Sequence, residues 1–541
     1  MMAPYKVCVL FGILAVCFIG ACFADIPCEA RKITGKSVVC VCNATYCDTI
    51  SREPFVPNTY VVYSSSQSGL RFSKNRAELK QANYSDTGCI PTLVLNTKVK
   101  YQTVEGFGGA TTDAAGINWK NLSLPLQKFL IDSYFSDKGL QYNMIRVPIG
   151  GTDFSTHAYA YNELPVNDTK LSNFTLTYED FHYKLTSGTD PFHITFLSSQ
   201  IPMIKAAMQA SSTPVHVIAT TWSPPLWMKT RPVYRGRSLL KPEYYQTYAD
   251  YHYKFLEKYK EQGINVWGIT TTNEPTTGLV GFIHSVNNLG WTAASMGRWI
   301  IMNLGPTIRN STFKDVKIIT GDDQRLTLPY WANVLVAEHP KVLDYVDGIA
   351  VHYYTDFLTP ASILTEVSKS FPNKFIIATE ACEGSIPILE KHVDVGSWVR
   401  AKKYAIDIID DINHDVVGWI DWNLCLNVQG GPSYTANHVD SPILVFPEFN
   451  AFIKQPMFYA MGHFSKFVPR GSRRIEVTQK CGWKRSLWTT AFITPQNNVV
   501  VVLYNDGKAT KVNLQLGSKQ AVVEMEANSM ATVELPPNVT F

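Results

Sequence analysis

Short runs of aliphatic and β-branched residues recur along residues 98–423, each ending abruptly in polar side chains, and this alternation limits the fold more than any other feature. The runs fall at 143–147, 215–219, 266–270, 316–320, 348–351, 375–378 and 416–420. Near-continuous apolar content suits strands buried on both faces of a parallel sheet. The stretches between them, such as 242–262, place apolar and aromatic residues three and four apart, the spacing of a helix. A first strand near 104–107 completes the set for a (β/α)8 TIM barrel, an α/β fold. An open doubly wound sheet would want a nucleotide-type glycine loop after its first strand, and Gly106-Phe107-Gly108-Gly109 has the wrong spacing. The polar residues that end the runs include Thr152-Asp153, Thr221-Trp222-Ser223, Asn273-Glu274, Asp322-Asp323-Gln324, His352-Tyr353-Tyr354, Glu380 and Asp421-Trp422-Asn423. In a barrel they converge on the C-terminal mouth, whereas an open sheet spreads them along an edge.

The last stretch reads differently. Residues 487–494, 499–504 and 511–516 are strand-like and joined by turn residues such as Asn505-Asp506-Gly507. This segment is short for a sandwich on its own, so strands from 54–97 are expected to complete it. The predicted organisation is a leader at 1–24 and a small disulfide-containing N-terminal β-region at 25–53, joined by about 424–455. A β-sandwich domain from both chain ends (54–97 plus 472–541) and a catalytic barrel (98–423 plus 456–471) complete it.

Lys6 precedes an apolar run from Val7 to Gly20, and Ala21-Cys22-Phe23-Ala24 offers small residues for cleavage. That run is shorter than the roughly 20 residues that span a bilayer, so it reads as a signal peptide. Of the 11 cysteines, Cys8, Cys17 and Cys22 lie in it. Cys28, Cys40, Cys42 and Cys47 crowd the mature N-terminus, where secretion favours disulfides over a zinc site. Cys382 and Cys425 read as buried free thiols at strand ends, and Cys89 and Cys481 are expected to pair across the sandwich. Asn-x-Ser/Thr sequons at Asn43, Asn83, Asn121, Asn167, Asn173, Asn310 and Asn538 mark glycosylation candidates. The net charge of +4 is small for 541 residues and gives no case for nucleic acid. No cofactor is expected, and no metal, because no second ligand stands at suitable spacing from His352.

The chemistry centres on Thr272-Asn273-Glu274-Pro275 after the fourth run and Ala378-Thr379-Glu380-Ala381 after the seventh. Cleaving a glycosidic bond takes two carboxyl groups, one protonated to assist the leaving oxygen and one ionised. Strands four and seven face each other across an eight-stranded mouth, and a separation of roughly 5 to 5.5 Å makes such an enzyme retaining. Opposite protonation states on two carboxylic acids predict an acidic optimum. Asn273 suits a donor to the sugar 2-hydroxyl.

Longer matches carry a resemblance. They include 39–48 (Val-Cys-Val-Cys-Asn-Ala-Thr-Tyr-Cys-Asp), Gly106-Phe107-Gly108-Gly109-Ala110, 142–148 (Tyr-Asn-Met-Ile-Arg-Val-Pro), Gly348-Ile349-Ala350-Val351-His352, Gln455-Pro456-Met457-Phe458-Tyr459 and Gly462-His463-Phe464-Ser465-Lys466-Phe467. From Cys28 almost to its end the chain resembles the lysosomal glucosylceramidases of glycoside hydrolase family 30. The resemblance implies Glu274 as acid/base, Glu380 as nucleophile, and glucose contacts from Asp153, Trp222, Asn273, Trp422 and Asn437. It implies that Arg146, Gln324, His352 and Tyr354 line the pocket or hydrogen-bond the catalytic pair, and that Cys28 pairs with Cys40 and Cys42 with Cys47. Read singly, Trp222 could also be a core aromatic, His352 a structural histidine and Arg146 an ion-pair partner. Asp113 is read as structural.

The implied activity is hydrolysis of glucosylceramide to glucose and ceramide in the lysosomal lumen. It comes with peripheral membrane contact only, at an anionic lipid surface and with a saposin-type activator. The segment 278–291 departs from the family's entrance loop, so glucose recognition is implied more firmly than ceramide preference. Alternatives are a related retaining β-xylosidase, galactosylceramidase or β-1,6-glucanase, or a catalytically dead carbohydrate-binding protein; the last commonly loses a carboxylate, and both are present.

Overall fold

Eight parallel strands close into a barrel: β1 (Gly106–Ala110), β2 (Met144–Ile149), β3 (His216–Thr221), β4 (Val266–Thr270), β5 (Lys317–Gln324), β6 (Gly348–His352), β7 (Phe375–Glu380) and β8 (Val416–Asn423). The computed structural model of the protein describes residues 25–82, 90–181, 183–186, 194–197, 200–281, 286–386, 390–480 and 486–537. Met144, Ile218, Ile319, Ala350, Ile377, Val417 and Ile420 cluster in buried contact, one or two from each of several strands, as expected of a filled barrel interior. The Gly106-Phe107-Gly108-Gly109 run has a steric reason: a Cβ on Gly108 would stand 2.0 Å from the Met144 carbonyl oxygen. Only a bare backbone allows β1 to lie that close to β2.

Four strands, β5 to β8, run further than their apolar cores. Register pairs Gln324 with His352, His352 with Glu380, and Asn423 with Ala110. On these strands the polar residues that end the apolar runs are therefore the last rungs of the ladder, whereas Asp153, Trp222 and Glu274 lie just beyond theirs. A ladder position is fixed by hydrogen bonds on both sides, which holds a side chain more tightly than a loop does.

Among the described residues the second sheet has ten strands and draws on both ends of the chain. Ser529–Leu535 pairs with Thr59–Ser66 on one side and with Val499–Asn505 on the other. Thr92–Thr103 pairs antiparallel with Arg473–Lys480 and parallel with Thr510–Leu516. That strand continues through Thr103, so residues beyond 97 still belong to the sandwich and the barrel starts at Gly106. Its apolar filling includes Leu93, Leu95, Val501, Leu503, Val523 and Val533. The helix Pro456–Ser465, buried on every side, fills the seam between barrel and sandwich. There the His463 ring hydrogen-bonds Thr532 at 2.8 Å and Ser65 at 2.9 Å.

A third, five-stranded sheet joins Ala30–Lys32 and Val38–Asn43 to Ala451–Lys454, Ile443–Phe446 and Leu426–Asn427. Cys28 is bonded to Cys40 and Cys42 to Cys47, while Cys382 and Cys425 are buried free thiols. The expected leader, the Cys89–Cys481 pair, and the sequons at Asn83 and Asn538 lie outside the described residues. Asn167, Asn173 and Asn310 are exposed, and Asn43 and Asn121 are half-buried. Among the described residues no helix is long and apolar enough to cross a membrane.

Candidate active site

Glu274 sits where β4 turns into the helix Pro275–Val280, with φ +42° and ψ 63°. A left-handed conformation costs a non-glycine residue about 1–2 kcal/mol. Two backbone bonds hold it: Glu274 N–H donates to the Asp322 carbonyl (2.8 Å), and its own carbonyl accepts from Thr277 N–H (3.0 Å). Pro275 starts the helix at once, its fixed φ suiting the first helical position. On the side chain, Oε1 accepts from Gln324 Nε2 (2.8 Å) and lies 3.1 Å from His352 Nδ1, and Oε2 accepts from Thr277 Oγ1 (3.0 Å).

Glu380 ends β7. Its Oε1 accepts from the Tyr354 hydroxyl at 2.7 Å and its Oε2 from the Arg146 guanidinium. One carboxylate oxygen of Glu274, one of Glu380 and a ring nitrogen of His352 all lie within 4.8 Å of one another. The two acids therefore face each other at the close spacing that retaining glycosidases use, not the wider gap that admits a water between them.

Beneath them lies a residue that the sequence places at the mouth without a role. Asp322 is fully buried; its Oδ2 accepts from Arg146 Nη2 (2.9 Å) and Thr270 (2.7 Å). Its Oδ1 accepts from Thr379 at 2.6 Å and lies 3.0 Å from His352 Nε2. Burial opposes its charge, but Arg146 and His352 outweigh that and hold its carboxyl well below the usual range. Both nitrogens of His352 thus face accepting oxygens, Nε2 the ionised Asp322 and Nδ1 the Glu274 oxygen that also accepts from Gln324, so both carry hydrogens and the ring is an imidazolium. Burial works against that charge as well, yet Glu380 and the bonds to Asp322 and Glu274 raise its pKa to about 10. Asp322 stands in an Asp-Asp pair near the end of β5, with nothing in its spacing to single it out. Only the convergence of β2, β5 and β6 reveals it.

A cavity of about 300 Å³ opens over the two acids. Asp153, Trp222, Asn273, Trp422 and Asn437 line it, with Gln324, Tyr354 and the Cys382 thiol. Trp222 and Trp422 stack with centroids 5.2 Å apart, and the Arg146 guanidinium lies 4.8 Å from the Trp222 ring. Asn437 donates to Asp153 Oδ2 at 2.8 Å. Arg146 also donates to the Asn273 side-chain carbonyl (2.8 Å), which leaves the Asn273 amide NH2 as a donor for a ligand. Arg146 and His352 lie below the lining and brace it. Phe357, 72% exposed, stands at the rim. Asp113 belongs to a separate, buried tie, accepting from Ser155, Tyr159 and Gln200.

The buried acids carry a pH signature. Burial raises Asp113, Asp153 and Asp180 to about 7 and Asp421 to about 8, from a usual value of 3.8. A carboxyl raised on folding contributes stability below its unfolded pKa and loses it as pH climbs through the folded one. His216, His252 and His463 pull the other way, since burial lowers them to about 4, 4 and 3 and favours higher pH. Their effect is complete near pH 6.5, whereas the acids continue to act up to pH 7 and 8. We expect the melting temperature to be several degrees lower at pH 8 than at pH 5 by calorimetry; a higher value at pH 8 would contradict the assignment of these acids as neutral in the fold.

Residues 104–468 match the glycosyl hydrolase family 30 TIM-barrel domain, and 471–533 match the glycosyl hydrolase family 30 beta sandwich domain. The chain is 42% identical to the lysosomal acid glucosylceramidase of Mus musculus over 88% of its own length and 89% of the relative's. It is 24% identical to the endo-1,6-beta-D-glucanase of Neurospora crassa, over 79% and 82% of the two chains. Among solved structures, SrfJ from Salmonella typhimurium superposes with a TM-score of 0.78 at 22% identity, covering 89% of this chain and all of that one.

Proposed function

Because the chain belongs to glycoside hydrolase family 30, a family of retaining glycosidases, we propose that it is a glucosylceramidase that releases glucose and ceramide by double displacement. The observation that carries the mechanism is the pair of facing carboxyl groups, Glu274 and Glu380, within 4.8 Å at the barrel mouth.

Glu380, ionised between Arg146 and Tyr354, attacks the anomeric carbon from one face. Glu274, protonated, gives its hydrogen to the departing ceramide oxygen on the other, so no alkoxide has to leave. A glucosyl ester on Glu380 results. Water then enters where ceramide stood, Glu274 takes its proton, and the oxygen attacks the same carbon, freeing glucose with its β configuration retained. Arg146 turns the Asn273 amide toward the sugar 2-hydroxyl, a contact that strengthens as the oxocarbenium-like transition state forms. Asp153 and Asn437 offer a joint acceptor and donor for the outer hydroxyls, and the Trp222–Trp422 stack offers an apolar wall to a sugar face.

The leader, the cysteine usage and the sequons support passage through the secretory pathway, and the likeness to a lysosomal acid glucosylceramidase supports the lysosomal lumen as the site of action. Ceramide is presented by a bilayer, so peripheral contact with an anionic lipid surface, aided by a saposin-type activator, completes the reading. Exposed Phe357 and Leu358 beside the rim support it.

The test is turnover of fluorescent glucosylceramide in anionic vesicles at pH 5, beside galactosylceramide, an aryl β-xyloside and a β-1,6-glucan. Glucosylceramide is expected to exceed the others by about a hundredfold in kcat/KM, the scale of a buried polar group left unpaired at about 1–3 kcal/mol. Turnover of the glucan alone would overturn the substrate assignment and leave the double displacement standing.

A further inference from the structure

One guanidinium behind the pocket wall gathers three carboxylates. Arg325 follows Gln324 directly at the end of β5, and its Nη2 lies 2.5 Å from Asp356, 2.6 Å from Asp411 and 3.4 Å from Asp407. None of these four side chains is more than 9% exposed. One oxygen from each acid lies within 4.8 Å of the other two. Full ionisation would leave two uncompensated negative charges out of water, a state that proteins avoid by keeping protons.

The elements packed around the cluster bring no second cation to it among the described residues. On the helix Trp398–Asn413, Asp410 stands near by and pairs with His414 (3.4 Å). From β8, Trp419 Nε1 donates to Asp407 at 3.0 Å, and Arg325 Nη1 is taken by the Thr359 carbonyl at 3.2 Å. Tyr353 is tied to Glu383, which holds Lys403. Burial and then mutual repulsion push Asp356 and Asp411 well above the usual carboxylate range, and burial raises Asp407 too.

The three acids are not equally placed. Asp407 and Asp411 are one turn apart on the same helix and move with it. Asp356 begins the short turn Asp356–Leu358, just after Tyr354, which reaches Glu380, and just before Phe357 at the rim. Through Arg325 its carboxyl ties that segment to the helix.

We propose that Arg325, Asp356, Asp407 and Asp411 form a proton-dependent latch that positions Tyr354 and Phe357 against the bound substrate. With shared protons in place, the acids crowd around Arg325 and the segment 353–359 is held down. When those protons leave, repulsion from Asp407 and Asp411 drives Asp356 off the helix, and the wall bearing Tyr354 loosens. Asp356 is thus a positioning residue that restricts the formed pocket to acidic conditions. The proposal rests on the cavity being the substrate site, but its first test reads ligand-free protein, so it fails or stands apart from the activity.

That test is hydrogen–deuterium exchange of the wild-type protein at pH 5 and pH 8, corrected for intrinsic rates. The amides of Leu358 and Thr359, which donate to Thr355 and Asp356, should lose protection at pH 8 by about tenfold or more, while β4 and β7 keep theirs. Asp411→Asn keeps the contact to Arg325 without ionising, and Asp356→Asn serves equally if that variant does not fold. Either should hold protection at pH 8 and flatten the rise in Ki, from pH 5 to 8, of a non-hydrolysable aryl thio-β-glucoside. Equal protection of the segment at both pH values, or loss at pH 8 in the variant as in the wild type, would overturn the latch.

Discussion

Glu380→Ala is expected to lower kcat/KM on every β-glucoside by about ten-thousandfold or more, whatever the leaving group, because no other group can form the glycosyl ester. The loss should be confined to chemistry. Arg146 would then lack one carboxylate partner but keep Asp322 at 2.9 Å and Asn273 at 2.8 Å. Tyr354 would keep the Cys382 sulfur at 3.4 Å. The pocket should therefore still bind a thio-glucoside, by calorimetry, within about tenfold of the wild type. Loss of binding in step with loss of turnover would mean that Glu380 shapes the site instead of attacking.

Glu274→Ala separates the two half-reactions. Proton donation is worth about a hundred- to ten-thousandfold, and only when the leaving oxygen needs it. On glucosylceramide, whose alcohol is a poor leaving group, kcat/KM should fall by about a thousandfold. On a dinitrophenyl β-glucoside glycosylation should stay within about tenfold, with the glycosyl ester accumulating because no base activates water. Azide, which needs no base, should restore turnover and give the β-glucosyl azide. An α-azide, or equal loss on both substrates, would contradict the role given to Glu274.

The barrel was legible in the sequence because its strands are apolar on both faces, so each stands out as a continuous run. Strand ends were less so: Gln324, Glu380 and Asn423 break the apolar runs, yet the ladder continues to them. The second half of Thr92–Thr103 escaped for a related reason. Lys98, Val99 and Lys100 are exposed there, and an exposed, charged strand end has the composition of a linker.

At the site, the strand-end acids Glu274 and Glu380 follow from the spacing of the runs. The roles of Asp153, Trp222, Trp422 and Asn437 came from the family resemblance. Asp322 and the Arg325 cluster did not follow from either. Asp407 and Asp411 stand four apart on an amphipathic helix, a spacing that ordinarily marks a solvated face. Only the guanidinium reaching them from β5 shows that they are buried.

The central claim is that Glu380 carries the sugar during turnover, and a 2-deoxy-2-fluoro-β-glucoside with a good leaving group tests it most directly, because the fluorine slows release of the glycosyl ester. Peptide mapping of the inactivated protein should find one fluoroglucosyl group, on Glu380. Glu383, three residues on, is occupied by Tyr353 and Lys403 and is absent from the cavity lining. A label on Glu383, or full inactivation with no covalent adduct, would contradict the account.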